Sequence, residues 1–343
     1  MKYLYNKLSI LHFFTFISIS FFTLFTFTIK NTEFYYDAHF YLLGYNLIST
    51  SNGFFNIFNE YYGSGSEILL SFIYLLLSLF TTPENIIEMI TLNNIIFSLS
   101  LLVLISVIFF KRKIIGLNSR QSLTLISLIL ALMPLGAASQ LARQAFTIVI
   151  LASFVIYFYR SLVVYLFIPV VSVFSHFGSF ITVYPFLAFL RSSVFRINFL
   201  YILTILLLLY IISTFFLDTY FLFKIIEHPT MRFKIGEFNI SSVYNPAILF
   251  NILGSLFLIK NKKLKFLIIV YNILYLFYPV FFFTRVFWGL IFLFFPMIVF
   301  ISFIKENSIK AKKYFYTKLV FIEVYIFSLL FLKLGVIIWK TFI

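Results

Sequence analysis

The chain contains no cysteine, which excludes disulfides, thiol nucleophiles and cysteine-ligated metals. Charge is scarce as well. Asp, Glu, Lys and Arg make up 11% of the 343 residues, against about a quarter in a soluble domain. The four histidines have no close spacing, and no HExxH or DxD triplet occurs, so neither metal site nor cofactor is expected. There is no GxxxxGK phosphate loop, and hence no built-in ATP motor. A GxSxG nucleophile elbow is also missing.

What is present instead is hydrocarbon. Hydrophobic residues make up 62% of the chain, with 52 Phe and 23 Tyr, and the mean hydropathy is +1.06. A water-soluble core cannot hide that much apolar surface, so the expected fold is all-α, a polytopic transmembrane helix bundle. A β-barrel is excluded, because the runs are continuous over about 15–25 residues and do not alternate. The net charge of +15 does not point to nucleic acid. The cations sit in short clusters between apolar runs, the pattern of topology signals and of contacts with anionic membrane lipids.

The apolar runs define candidate spans at 8–29, 67–80, 86–110, 120–137, 141–159, 161–175, 177–190, 197–217, 244–259, 266–282, 286–304 and 319–338. The first lacks a small-residue cleavage site after it and reads as a retained span. Placing Lys111, Arg112, Lys113 and Arg120 in the cytoplasm and alternating strictly also puts Arg160, Arg191, Arg196, the Lys260–Lys265 cluster and the Lys305–Lys318 segment inside. That is the bias of the positive-inside rule. Lys2 and Lys7 favour an internal N-terminus, which makes one of the runs 67–80 and 86–110 a non-crossing segment. The shorter run, 67–80, fits a re-entrant or interfacial piece. The expected architecture is a single integral membrane domain over 1–343, with 11 or 12 spans and two long extracytoplasmic loops at about 30–66 and 218–243.

With these sides, several polar residues gather on the outer face. Arg143 opens the run from 141 to 159, and a cation at membrane level costs roughly 2.5–3.5 kcal/mol on insertion scales. It fits either snorkelling to headgroups or an anion site, and arginine's planar fork suits phosphate. His176 lies at the outer turn of the 161–190 hairpin, as a core histidine or as a base or donor. Arg285 precedes the span from 286, and Arg232 lies in the second long loop. Asp37, in the first loop, is placed to cap a following helix or to take a proton from a sugar hydroxyl. Tyr36, Tyr41 and Glu67 are candidates for sugar contact. The bland readings are an aromatic belt for the tyrosines and a favourable helix N-terminus for Glu67.

Two segments resemble the EpsG-like and Wzy-type polysaccharide polymerases. They are Ser139-Gln140-Leu141-Ala142-Arg143-Gln144-Ala145-Phe146 and Phe174-Ser175-His176-Phe177-Gly178-Ser179-Phe180. Upstream, Tyr36-Asp37-Ala38-His39-Phe40-Tyr41 and Gly65-Ser66-Glu67 look like the family's segments after the first span. The similarity covers about residues 30–190. The chain departs from the pattern in Ala-Phe-Thr after Gln144 and in Gly178 before Ser179. The resemblance implies a GT-C-like bundle in the bacterial cytoplasmic (inner) membrane. It implies joining of undecaprenyl-diphosphate-linked oligosaccharides on the outer leaflet, for O-antigen, capsule or exopolysaccharide, with a chain-length regulator as an open question of partnership. The roles expected are a diphosphate clamp from Arg143, Arg285 and Arg232, and a base at Asp37 or His176. Rivals are a GT-C transferase using a polyprenyl-phosphate sugar, a lipid-linked glycan flippase and an acyltransferase of lipopolysaccharide sugars.

Overall fold

The structure, a computed structural model, describes residues 2–13, 36–50, 69–134, 142–158, 245–276, 287–307 and 312–342, together with single positions between 161 and 189. Among the described residues the regular structure is helical. The helices are α1 (2–13), α2 (Tyr36–Thr50), α3 (Leu69–Leu77), α4 (Ile86–Ile115), α5 (Ser119–Leu132) and α6 (Ala142–Phe158). They continue with α7 (Pro246–Leu258), α8 (Lys262–Leu276), a π turn Leu290–Phe294 that runs straight into α9 (Phe295–Asn307), and α10 (Lys312–Phe342). Among the described residues, two stretches are long and apolar enough to cross a membrane, Ile86–Ile115 and Tyr314–Val336.

Local chemistry sets the boundaries. α4 begins where the Asn85 side chain accepts from the Glu88 amide, and Glu88 Oε1 accepts in turn from Asn85 Nδ2 at 2.8 Å. It ends at Gly116, whose φ of 86° is the left-handed region that glycine occupies without strain. The helix therefore runs five residues past the apolar stretch that ends at 110. Arg112 and Lys113 in its last turn suit the negative end of the dipole and do not stop it. Asn118 then caps α5 in a capping box with Gln121, so three residues suffice to reverse the chain. The described part of α3, Leu69–Leu77, is nine residues, a rise of about 14 Å. The segment expected as a loop from 30 to 66 contains a full helix, α2.

Side-chain pairs give the direction of each helix. α1 runs alongside α10 with Tyr5 near Tyr316 and His12 near Phe327. α5 is parallel to both, since Thr124 bonds Glu323 and Lys333 Nζ reaches the carbonyls of Leu130 and Met133. α7 is antiparallel to α10, with Tyr325 on Pro246 O and Lys318 on Phe257 O. The helix from 287 to 307 is parallel to α7, as Asn251 meets Ile291 and Lys260 meets Glu306. α4 and α6 are parallel, with Lys111 over the Tyr157 ring at one end and Phe146 against the Met89 cluster at the other.

These directions gather charge at one end of the bundle. Lys2 and Lys7, Lys111 to Lys113, Arg120, Lys260 to Lys265, Lys305 and Lys312 to Lys318 all stand there. The described cations away from it are Arg143, Lys333 and Lys340. Helix dipoles do not explain this clustering. The cations sit at the C-terminal ends of α4, α7 and α9, but at the unfavourable N-terminal ends of α5, α8 and α10. Part of that cost is offset across helices. Lys265 Nζ donates to Leu256 O at 2.9 Å and Lys318 Nζ to Phe257 O at 2.8 Å, so cations from two helix starts cap the free carbonyls ending α7.

The main core is a continuous apolar cluster from α5, α6, α7, α9 and α10, in which Ile148, Leu293, Phe294 and Phe300 are fully buried. A smaller cluster holds Tyr41, Tyr45, Ile48, Leu70, Tyr74, Met89 and Ile96. At Gly289 the backbone presses on α6. A Cβ there would stand 2.5 Å from Ile148 Cδ1 and 3.1 Å from its Cγ2, and Ile148 is fully buried. Gly289→Ala is therefore expected to cost about 1–3 kcal/mol by overpacking. Combining it with Ile148→Ala should lose less than the sum of the two single changes, as read by thermal unfolding in detergent. Strict additivity would contradict the contact.

Candidate functional site

The end of the bundle away from the cations is built from α2, the α3–α4 link and the first turn of α6. α2 is held there by Tyr45, whose hydroxyl donates to Thr81 O at 2.6 Å and whose ring lies 5.4 Å from that of Tyr74. Burial raises the Tyr45 hydroxyl above the ordinary phenol value. Tyr74 in turn donates to Asn93 Oδ1 at 2.5 Å, which pins α3 to α4. Phe146 packs against the same cluster and brings in the start of α6.

Four of the sequence-predicted site residues, Asp37, Arg143, Tyr36 and Tyr41, are carried by these helices. Asp37 falls in the first turn of α2, one helical turn before the buried Tyr41. That is a position inside the helix, where the dipole favours a carboxylate, and not the capping position before it. Arg143 is the second residue of α6, three residues before Phe146. Asp37 and Arg143 thus stand on helices that share one apolar cluster. Tyr36 opens α2. Tyr41 is 4% exposed and its ring belongs to the cluster. Thr147, one turn after Arg143 and on the same helix face, is buried, and its hydroxyl has no partner among the described residues. His176, Arg232, Arg285 and Glu67 lie outside the described residues.

A second polar constellation, which sequence reasoning missed, lies inside the bundle. His12 Nδ1 and Glu323 Oε2 form an ion pair, and both side chains are fully buried. Thr124 Oγ1 donates to Glu323 Oε1 at 2.5 Å and lies 2.9 Å from the Tyr5 hydroxyl. The Phe327 ring stacks on His12 at 5.9 Å. A signal was available: His12 falls inside the first apolar run and Glu323 inside the last. Ionisable residues within such runs are functional candidates by default. A third group surrounds the π turn. Asn251 Nδ2 donates to Ile291 O at 2.9 Å and to Asn272 Oδ1 at 3.2 Å, and Asn272 Nδ2 donates to Ile268 O at 2.7 Å. These amides tie α7 and α8 to the widened helical turn. Among the described residues no three His, Asp or Glu side chains gather at one point.

Compared with known proteins, the chain matches no family model, no curated protein and no solved structure.

Proposed function

We propose that the chain is a multi-pass, GT-C-like enzyme of the bacterial cytoplasmic membrane. In this reading it joins undecaprenyl-diphosphate-linked oligosaccharide repeat units on the outer face. One observation carries the proposal: the helix starts bearing Asp37 and Arg143 stand on one cluster, at the end opposite the lysine-rich one. By the positive-inside rule the lysine-rich end is cytoplasmic, and the other end faces outward. The motif resemblance around Arg143 and His176 supports the same reading.

In the proposed reaction an acceptor hydroxyl oxygen attacks the anomeric carbon of the donor sugar. The bond from that carbon to the diphosphate breaks, with inversion. Asp37 or His176 takes the hydroxyl proton. Arg143, with Arg285 and Arg232, holds the diphosphate and stabilises the charge that develops on it as it leaves. With arginines in that role, the reaction requires no metal.

Purified full-length protein given the lipid-linked repeat unit alone is expected to make a ladder of polymer. Addition of a single sugar from a polyprenyl-phosphate donor would favour the GT-C transferase reading. Movement of the lipid-linked unit across a vesicle without linkage would favour a flippase. Sidedness has its own test, made clean by the absence of native cysteine. Glu84→Cys, at the exposed α3–α4 link, should react with an impermeant thiol reagent in intact cells, and Lys262→Cys only after lysis. The reverse pattern would overturn the orientation.

A further inference from the structure

We propose that Tyr5, Thr124, Glu323 and His12 form a proton-binding relay inside the bundle, loaded from the cationic end. The four groups belong to three helices, α1, α5 and α10. Tyr5 is 3% exposed and the other three are fully buried. Stability alone does not explain them. Well-packed apolar residues in place of a buried ion pair are often neutral or stabilising.

The geometry suits a mobile proton. The Nδ1–Oε2 contact of His12 and Glu323 needs a proton between the two atoms, either the Nδ1–H of the imidazole or the proton of a carboxylic acid on Oε2. Thr124 Oγ1 has three neighbours: the Tyr5 hydroxyl at 2.9 Å, Glu323 Oε1 at 2.5 Å and Arg120 O at 3.0 Å. A threonine hydroxyl offers one proton and two lone pairs. With Oε1 unprotonated, Tyr5 donates to Thr124 and Thr124 donates to Glu323. With Oε1 protonated, Glu323 donates to Thr124, Thr124 turns its own proton onto the Arg120 carbonyl, and Tyr5 donates into the second lone pair. The same heavy-atom positions satisfy Tyr5, Thr124 and Glu323 Oε1 in both states, so Oε1 can gain or lose a proton without repacking.

Loading balances simply. The Tyr5 proton passes to Thr124 Oγ1 as the Thr124 proton passes to Glu323 Oε1, and Tyr5 recovers a proton from water at the cationic end. Only O–H bonds form and break, and the carboxylate becomes a carboxylic acid. Tyr5 lies within one turn of the exposed Lys2, Tyr3 and Leu4, which sets the direction of entry. Among the described residues, the other charged or titratable groups facing the relay are Arg120 from α5 and Tyr316 from α10. Lys333, further along α10, is engaged by the carbonyls of Leu130 and Met133. The relay does not rest on the polymerase reading, and its test uses no sugar substrate.

The test is infrared difference spectroscopy of the full-length protein in lipid nanodiscs during pH titration and after a pH jump. Wild type should show a protonated-carboxyl band that grows as pH falls and is lost in Glu323→Gln. Thr124→Val, close in shape, and Tyr5→Phe should keep the band but slow its appearance by roughly a hundredfold, the low end of what a positioned proton donor contributes. A band unchanged in Glu323→Gln overturns the proposal. So does exchange in Thr124→Val as fast as in wild type, or the absence of any pH-dependent band, which would leave the pair as a clamp between α1 and α10.

Discussion

Glu323→Leu is expected to destabilise the detergent-solubilised protein by about 3–5 kcal/mol, the cost of removing one partner from a buried ion pair. The carboxylate has two dependants. His12 loses its one polar contact among the described residues, in a site with no exposure to water. Thr124 loses the acceptor at 2.5 Å and falls back on the Arg120 carbonyl at 3.0 Å. The cost is therefore dominated by a stranded imidazole and not by lost packing, because leucine fills much of the same space. The double variant His12→Phe with Glu323→Leu should accordingly recover most of the loss, since neither half remains unpaired and Phe327 is already positioned to stack on a ring at residue 12. Unfolding titrations in mixed detergent would measure both. A single variant as stable as wild type would mean that the pair contributes nothing. A double variant no better than the single would place the cost in shape, not charge.

The helix directions were legible because they rest on charge. Lys111 to Lys113, Lys260 to Lys265 and Lys312 to Lys318 punctuate the apolar runs, and placing them on one side yields the same alternation of direction that the contacts among the described helices trace from Ile86 onward. Helix ends were less legible. Cations do not stop a helix, so α4 runs through its basic turn to Gly116, where backbone conformation ends it. The polar and aromatic residues of α2 form no apolar run that would mark a helix in the sequence, yet it packs through Tyr41, Tyr45 and Ile48. The His12–Glu323 pair was the least legible feature. Its members are 311 positions apart in sequence, and nothing local in either run marks the other as its partner. Only the side-by-side course of α1 and α10 brings them together. The π turn at Leu290 is a similar case: Asn251 and Asn272 reach it from two other helices.

Arg143→Ala is expected to lower polymer formation by roughly 10²–10³-fold, the loss seen when one preorganised donor to a developing charge is removed. The position of the arginine is what makes the effect large. Arg143 is the second residue of Ala142–Phe158, at the end of α6 away from the lysine-rich end of the bundle, where most of the described cations collect. An anion bound at this end would offset the cost of a cation at membrane level, since arginine's planar fork suits phosphate. Arg143→Lys keeps the charge but loses the planar two-pronged donor, and should fall between wild type and Ala. The helix itself should survive either change, since its buried face from Ala145 to Ile156 belongs to the main core and does not depend on residue 143. The measurement is polymer length and amount on gels, from purified protein of each variant with the lipid-linked repeat unit. Thermal unfolding run in parallel would show that the fold is retained. Full-length polymer at the wild-type rate from Arg143→Ala would remove the diphosphate clamp from the proposed mechanism. A uniform loss of stability in both variants would instead make Arg143 a structural residue at the start of α6.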